Sequence, residues 1–241
     1  MGILQKELPM KRSVLSVGIL FGLLSGAAQA NDFSVNIGAI SVMPDDSSGS
    51  LNVVESVAGL DADSTGVGVN TNTQLGLTFD YALDNHWVIE LVAATPFSHD
   101  ITGTGALAGV KIGDTKHLPP TLLAQYHFDI GSDMFKPFVG VGANYTAFFD
   151  DQVSPAVKDL LVSTGVATTS DAVDLALENS WGVALQAGVN VSLSKDWGMH
   201  VMVSKMDIDT TGDVRLNGAT IESVDVQIDP YVAMVGLRYS F

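Results

Sequence analysis

Between Ser180 and Leu193 the chain alternates without interruption. Trp181, Val183, Leu185, Ala187, Val189, Val191 and Leu193 fall on one side, and Ser180, Gly182, Ala184, Gln186, Gly188, Asn190 and Ser192 on the other. Successive side chains of a β-strand point to opposite faces, so this reads as a strand with one apolar face and one small or polar face. The same period of two returns at Phe33, Val35, Ile37 and Ala39, and at Leu75, Leu77, Phe79, Tyr81 and Leu83. It returns again at Trp87, Ile89, Leu91 and Ala93, at Leu122, Ala124, Tyr126 and Phe128, and at Val139, Val141, Ala143 and Tyr145. Trp197, Met199, Val201 and Val203 follow, and Tyr231, Ala233, Val235, Leu237, Tyr239 and Phe241 end the chain. The mean hydropathy is positive, yet beyond the first 30 residues no apolar run is long enough for a helical span. Apolar character spread over every second position is the pattern of a transmembrane β-barrel, whose strands need only about 9–11 residues each. The expected fold is an all-β, eight-stranded antiparallel transmembrane barrel.

The connections support it. Those near residues 84–85, 129–135 and 194–196 are short, and those near 43–72, 97–118, 149–176 and 207–229 are long. Short periplasmic turns and long outer loops set the direction: odd strands rise outward and even strands return. Phe33, Tyr81, Trp87, Phe128, Trp197, Tyr239 and Phe241 then fall near inner strand ends, and Tyr145, Phe148, Phe149, Trp181 and Tyr231 near outer ends. Amphipathic rings prefer the two membrane interfaces, so two girdles are expected. A soluble β-sandwich also alternates but has no reason to band its aromatics. Tyr239 and Phe241 close the final strand in the manner of a sorting signal for the barrel assembly machinery.

Residues 1–30 read as a cleaved signal peptide, leaving residues 31–241 as the barrel. Lys11 and Arg12 precede an apolar run from Val14 to Leu24, and Ala28, Gln29 and Ala30 form an A-x-A cleavage pattern. Met10 offers an alternative start. Removing Lys6, Lys11, Arg12 and Glu7 leaves the mature chain two units more negative than the formal net charge of −16. Such a chain is not a nucleic-acid binder, because phosphates call for Lys and Arg. The chain has no cysteine, which excludes disulfides and Cys-ligated metal sites. Export and a barrel together place it in the outer membrane of a Gram-negative bacterium. A monomer is expected there, because a closed barrel has no free strand edge.

Inward positions sort by height. The periplasmic half receives Asn36, Asp80, Glu90, Gln125, His127, Asn190, His200 and Arg238; the outer half receives Ile40, Val42, Val92, Ala94, Leu123, Met202, Ser204, Met206, Val232 and Met234. Asp80 with Glu90, and His200 with Arg238, lie on neighbouring strands. A polar floor follows, in which these four form an ionic plug, since unpaired buried charges are costly. The alternative is that some of them face trapped water. The apolar upper lumen reads equally as a packed core, with Met as gap-filler, or as a funnel for one small apolar ligand.

Other signals are weaker. His99, His117 and His200, with Ser98 and Asp100, are the candidates for catalysis, but neighbouring strand residues point to opposite faces and no G-x-S-x-G or H-E-x-x-H occurs. The chain is therefore read as no enzyme, with no cofactor and no metal. Asp207, Ile208 and Asp209 with Gly212 faintly resemble a calcium loop, but Gly218 stands where the twelfth-position Glu belongs. Asn217 and Gly218 read as a hairpin tip, and Pro155 to Val162 as a short helix over the mouth.

Longer stretches carry a resemblance. NTNTQLGLTFDYALDNHWVIELVAATPFSHDI, HLPPTLLAQYHF, FKPFVGVGANYTAFFD, SWGVALQAGVNVSLSKDWGMHVMVSKMDIDTT and DPYVAMVGLRYSF closely resemble the outer-membrane protein W family, which includes the alkane-import porin of hydrocarbon-using bacteria. NIGAISVMPDDSS fits as well, so the likeness covers nearly the whole mature chain. It implies passive uptake of small hydrophobic compounds that leave sideways through the barrel wall. The channel lining is then expected at Val42, Val92, Leu123, Met202, Ser204, Met206 and Met234, above a floor of Asp80, Glu90, His200 and Arg238. In relatives a bulky aliphatic and a large aromatic form a constriction: Val92 keeps this character and Ser204 departs from it. The expected partners are outer-membrane lipid and lipopolysaccharide, the assembly machinery, and a small hydrophobic ligand. A structural or adhesive barrel, or a surface receptor, is the alternative, separated only by the apolar upper lumen.

Overall fold

The computed structural model describes residues 32–241. The expected signal peptide, residues 1–30, lies outside the described residues. In chain order the elements are β1 (Phe33–Met43), β2 (Ser47–Ser48), α1 (Asn52–Ala58), β3 (Thr65–Val69), β4 (Asn72–Ala82), β5 (Trp87–Ala94), β6 (Phe97–Gly105) and β7 (Lys111–Leu118). There follow β8 (Thr121–His127), β9 (Phe135–Val153), α2 (Pro155–Ser163), β10 (Val173–Leu177), β11 (Ser180–Ser192), β12 (Trp197–Met206), β13 (Asp209–Leu216), β14 (Ala219–Gln227) and β15 (Tyr231–Ser240).

Among the described residues, eight strands close on themselves in the order β1-β4-β5-β8-β9-β11-β12-β15, with β15 returning to β1. Every pairing is antiparallel. These are the eight alternating segments of the sequence. Ile37, Leu75, Leu122, Val141, Leu185 and Val235 are exposed on the outer wall, while their neighbours Asn36, Leu123, Ala184 and Met234 are buried in the lumen. An apolar band costs nothing against lipid, which is why so many large side chains stay uncovered. At the inner end Trp197 meets Tyr239 with ring centroids 4.9 Å apart, and Phe33 meets Phe241 at 5.6 Å. At the outer end Tyr145 and Trp181, register partners, lie 4.5 Å apart. Phe148 differs from the rest of that group: it turns inward onto His117.

The long connections differ most from the sequence reading. They are not loops but a second storey. β3, β6, β7 and the upper part of β9 pair into one sheet; β10, β13, β14 and β2 pair into another. Each uses the period of two: Phe97, His99, Ile101 and Gly103 are buried while Ser98, Asp100 and Thr104 are not, and Glu222, Val224 and Val226 are buried while Ser223 and Asp225 are exposed. Leu51, Val67, Ile101, Ile112, Val157, Leu161 and Val224 fill the space between the sheets and helices. Asp151 joins the two sheets, accepting from Thr115 Oγ1 at 2.5 Å and from the Leu177 amide at 3.1 Å. The Asn217–Gly218 tip joins β13 to β14 with φ of 51° and 86°, the left-handed pair of a type I′ turn.

The two helices are held differently. Helix α2 has Ser154 as its N-cap, accepting from the Val157 amide at 3.4 Å, and Pro155 in the first turn. Helix α1 has no cap of its own. Instead Glu222 reaches over from β14 and accepts from the amides of Val53 at 2.7 Å and Val54 at 3.2 Å. Buried Glu55 ties the helix to β3, accepting from the Thr65 hydroxyl at 2.7 Å and from the amides of Asp63, Ser64 and Thr65, each at 3.0 Å. The Thr65 hydroxyl, with those three amides, holds the Glu55 carboxyl below its ordinary value against the opposing effect of burial.

Candidate functional site

The lumen has three levels. The lowest is a polar block in two linked parts. In the first, Arg238 on β15 pairs with Asp80 on β4, and its other nitrogen donates to Ser34 Oγ at 2.9 Å. The Asn36 amide donates to Thr78 Oγ1 at 2.5 Å and to Asp80 at 3.1 Å. In the second, Glu90 Oε2 accepts from Gln125 and from Gln186, each at 2.8 Å. His127 donates to Gln125 Oε1 at 2.8 Å, and His200 donates through Nδ1 to Asn190 at 2.8 Å. That donation leaves His200 Nε2 facing Glu90 Oε1 at 3.5 Å, and neither atom has another partner. Ligating atoms of Asp80, Glu90 and His200 lie within 4.8 Å of one another, which joins the two parts.

The pairing differs from the expected one in detail. Within the expected four-residue plug Arg238 is held by Asp80, while Glu90 is held chiefly by two glutamines. Gln186 and Thr78 complete the block and were not singled out from the sequence, although both occupy inward positions of the alternation. Phe138 was missed too. It is buried on β9 between the imidazoles of His127, 5.1 Å away, and His200, 5.5 Å away. Its partner across the ladder is Gly188, where a Cβ would lie 2.4 Å from the Phe138 ring. The glycine makes room for the ring, and the ring lids the polar block.

The middle level is apolar and packed. Val42, Val92, Leu123, Met202, Met206 and Met234 join Ile40, Phe97, Phe138, Ala184, Ile208 and Val232 in one buried cluster. Ser204 is buried among them, its hydroxyl 3.6 Å from Met202 Sδ.

The third level is a cavity of about 40 Å³ where the barrel cluster meets the second-storey core. Val42 and Ile208 line it from below, Val67, Ile101 and Val226 from above, and Phe148, Leu177 and Ile228 from the sides. Of the seven residues expected to line a channel, only Val42 reaches it; the other six pack beneath. A further apolar cavity of about 50 Å³ lies higher, between α1, α2, β7 and the β13–β14 hairpin. Below the polar block a wider polar vestibule of about 410 Å³ opens among the periplasmic turns, with Asp80, His127 and Arg238 in its wall.

His99 and His117 also line the upper cavity. They stack 4.9 Å apart, and His117 also meets Phe97 at 5.3 Å and Phe148 at 5.7 Å. Burial pushes His117 down to about 3, helped by the neighbouring His99, and burial lowers His99 as well. Both rings are therefore neutral. Ser98 is exposed on the opposite face of β6, so the run Ser98, His99, Asp100 does not bring a hydroxyl to an imidazole. Asp207 and Asp209 gather with Asp229 at the surface, where burial and the two neighbouring carboxylates raise Asp209.

The model of the OmpW family matches residues 29–241. Outer membrane protein W of Vibrio cholerae is 38% identical over 238 residues, covering 96% of this chain and all of that protein. Outer membrane protein W of Escherichia coli is 38% identical over 235 residues with the same coverage. Among solved structures, the crystal structure of the outer membrane protein OprG from Pseudomonas aeruginosa superimposes with a TM-score of 0.74 at 37% identity, over 88% of this chain and 97% of that one.

Proposed function

The chain belongs to the OmpW family and is an outer-membrane β-barrel, and on that premise we propose that it passively admits small hydrophobic molecules from the outside. They pass through the cavity above the barrel into the lumen and leave sideways above the polar block. The observation that carries this reading is the order of the levels: apolar cavities, then a cluster rich in Met, then a hydrogen-bonded polar layer lidded by Phe138. An apolar guest gains from every level but the last, where it would have to displace charge-assisted hydrogen bonds. A straight path down the axis is therefore unfavourable, and a path through the wall is not.

The wall offers a seam for it. The β5–β8 ladder ends at Val92 and Thr121, and pairing resumes only at Phe97 and His117 of β6 and β7. Pro96, Pro119 and Pro120 lie in the gap, and proline has no N–H to close a ladder. Val92 and Leu123 flank its lower edge. The cavity of about 40 Å³ has room for only a few waters. A hydrocarbon must therefore push Met202, Met206 and Met234 aside, and the flexible thioether side chain is suited to yielding. The reading is non-enzymatic: the residues serve by shape and polarity.

The test is uptake of a labelled medium-chain hydrophobic compound by cells lacking the protein, complemented with wild type or with Met202→Arg. Wild type should accelerate uptake and the arginine should abolish it, with folding checked by heat-dependent electrophoretic mobility. Equal uptake with and without the protein, for several compound classes, would leave the structural, adhesive or receptor reading. The tight packing of the middle level favours that second reading to the extent that it never loosens.

A further inference from the structure

The cavity above the barrel is apolar except for two groups that have no visible use. His99 Nε2 and His117 Nδ1 are buried and have no hydrogen-bond partner. The three threonines in the same wall do have partners: Thr115 donates to Asp151 at 2.5 Å, Thr146 to Asn144 at 2.7 Å and Thr210 to the Glu178 carbonyl at 2.7 Å. The spare hydrogen-bonding capacity around the cavity is thus concentrated in the imidazole pair, whose nitrogens meet a guest once the rings turn towards the void. Stacking alone does not explain the pair, since phenylalanines would extend the Phe97 and Phe148 stack without stranding two ring nitrogens.

The tautomer of His99 is fixed by its surroundings. Its Nδ1 lies 2.6 Å from the Asn70 carbonyl, which only accepts. Nδ1 therefore carries the proton, and in a neutral ring Nε2 is a bare acceptor. It calls for a donor from a guest. His117 is free to present Nδ1 as donor, because no partner dictates its tautomer. One group serves both nitrogens at once: a hydroxyl, which donates one hydrogen bond and accepts another.

We propose that this cavity selects apolar molecules bearing a single hydroxyl group, the hydroxyl donating to His99 Nε2 and accepting from His117 Nδ1. The chain of the guest lies against Val67, Ile101, Phe148, Ile208 and Val226. The inference rests on the uptake reading and names the guest class for it. A carboxylate or ammonium is disfavoured, because the rings are neutral and the lining holds no counter-charge. A metal ion is disfavoured as well: among the described residues the pair has no third ligating group within reach.

The experiment compares 1-octanol with n-octane, equal in chain length and differing by the hydroxyl. Uptake rates are measured in cells lacking the protein, complemented with wild type, His117→Phe or His99→Asn. The phenylalanine keeps the stack, and the asparagine keeps a donor for the Asn70 carbonyl while removing Nε2. Loss of one hydrogen bond should lower the ratio of 1-octanol to n-octane uptake by about three- to tenfold. An unaltered ratio of the two rates in either folded variant, with wild type still accelerating both compounds, overturns the hydroxyl selection and leaves uptake standing. If wild type accelerates neither compound, the uptake reading fails and the selection falls with it. Should one variant not reach the folded barrel, the other decides.

Discussion

Two buried clusters, one above the other, treat their polar groups in opposite ways. Within the barrel, Asp80, Glu90, Gln125, Gln186 and Arg238 lie in a dense web of side-chain hydrogen bonds, broken only where Glu90 Oε1 faces His200 Nε2 at 3.5 Å. In the second storey, His99 Nε2 and His117 Nδ1 lie among stacked rings with no hydrogen-bond partner. A network so densely bonded resists any visitor, because displacing it exposes charge to a low dielectric. An unsaturated pair beside a void gains from a visitor. Burial alone does not distinguish a wall from a site; the state of the hydrogen bonds does.

The largest effect that would break this contrast lies in the lower cluster. Asp80→Leu leaves Arg238, half-buried beside the vestibule, without its carboxylate, and removing one partner of such a pair costs up to about 3 kcal/mol. The urea midpoint of the barrel refolded in vesicles should fall accordingly. Adding Arg238→Met should restore most of the loss, since an apolar pair of similar volume removes the stranded charge. If the single substitution left the midpoint unmoved, the lower cluster would not be the rigid wall described.

A smaller effect is expected from acid, and it belongs to the upper cluster. His99 and His117 are neutral in the fold, and in an opened chain each takes a proton near 6.5. The hydrogen bond to the Asn70 carbonyl, and then the charge of Asp100 on the opposite face of the strand, only partly offset the burial of His99. Below pH 6.5 the opened form binds protons that the folded form refuses, so stability falls as the pH drops towards about 3, where His117 itself titrates. Glu55 acts in the same direction over a lower range: its carboxyl is held below the ordinary 4.5, so its contribution is present above that pH and is lost on further acidification. Amide exchange, corrected for the intrinsic rate, should accelerate between pH 7 and pH 5 in residues 97–118. His117→Phe should remove part of that change. Equal protection at the two pH values would show that the imidazoles are not sealed in the fold.

How much of this was legible in the sequence depends on what covers each face. The eight barrel strands were readable because lipid demands apolar side chains on the whole outer face, so Leu185 and Val235 announce themselves at every second position. The same rule placed Asn36, Gln125 and Met202 inside. It could not choose partners across the lumen: Gln186 reaches Glu90 from β11, far in sequence and on no neighbouring strand of it. The second-storey strands were hidden for a related reason. Their outer face meets water, so Ser98, Asp100, Ser223 and Asp225 carry no apolar signal, and the inner face mixes Ile101 and Val224 with His99 and Glu222. The tip at Asn217 and Gly218 and the start of α2 at Pro155 were legible, since both depend on local backbone chemistry alone.

Glu222 gives the smallest and sharpest way to probe the upper storey. Its carboxylate supplies the N-terminal cap that α1 lacks, and it does so from a different sheet. An anion at a helix N-terminus is favourable both as a hydrogen-bond acceptor and through the helix dipole. Glu222→Gln keeps an acceptor oxygen and removes the charge, so only part of the cap is lost, about 0.5–1 kcal/mol. The global urea midpoint should hardly move, because it is set by the barrel. Amide exchange of Val53 and Val54 should quicken several-fold, while the ladder between β1 and β15 stays unchanged. Faster exchange in the barrel ladder would mean that the two storeys unfold as one unit. No change at α1 would mean that Glu55 alone anchors the helix, and that β14 merely rests against it.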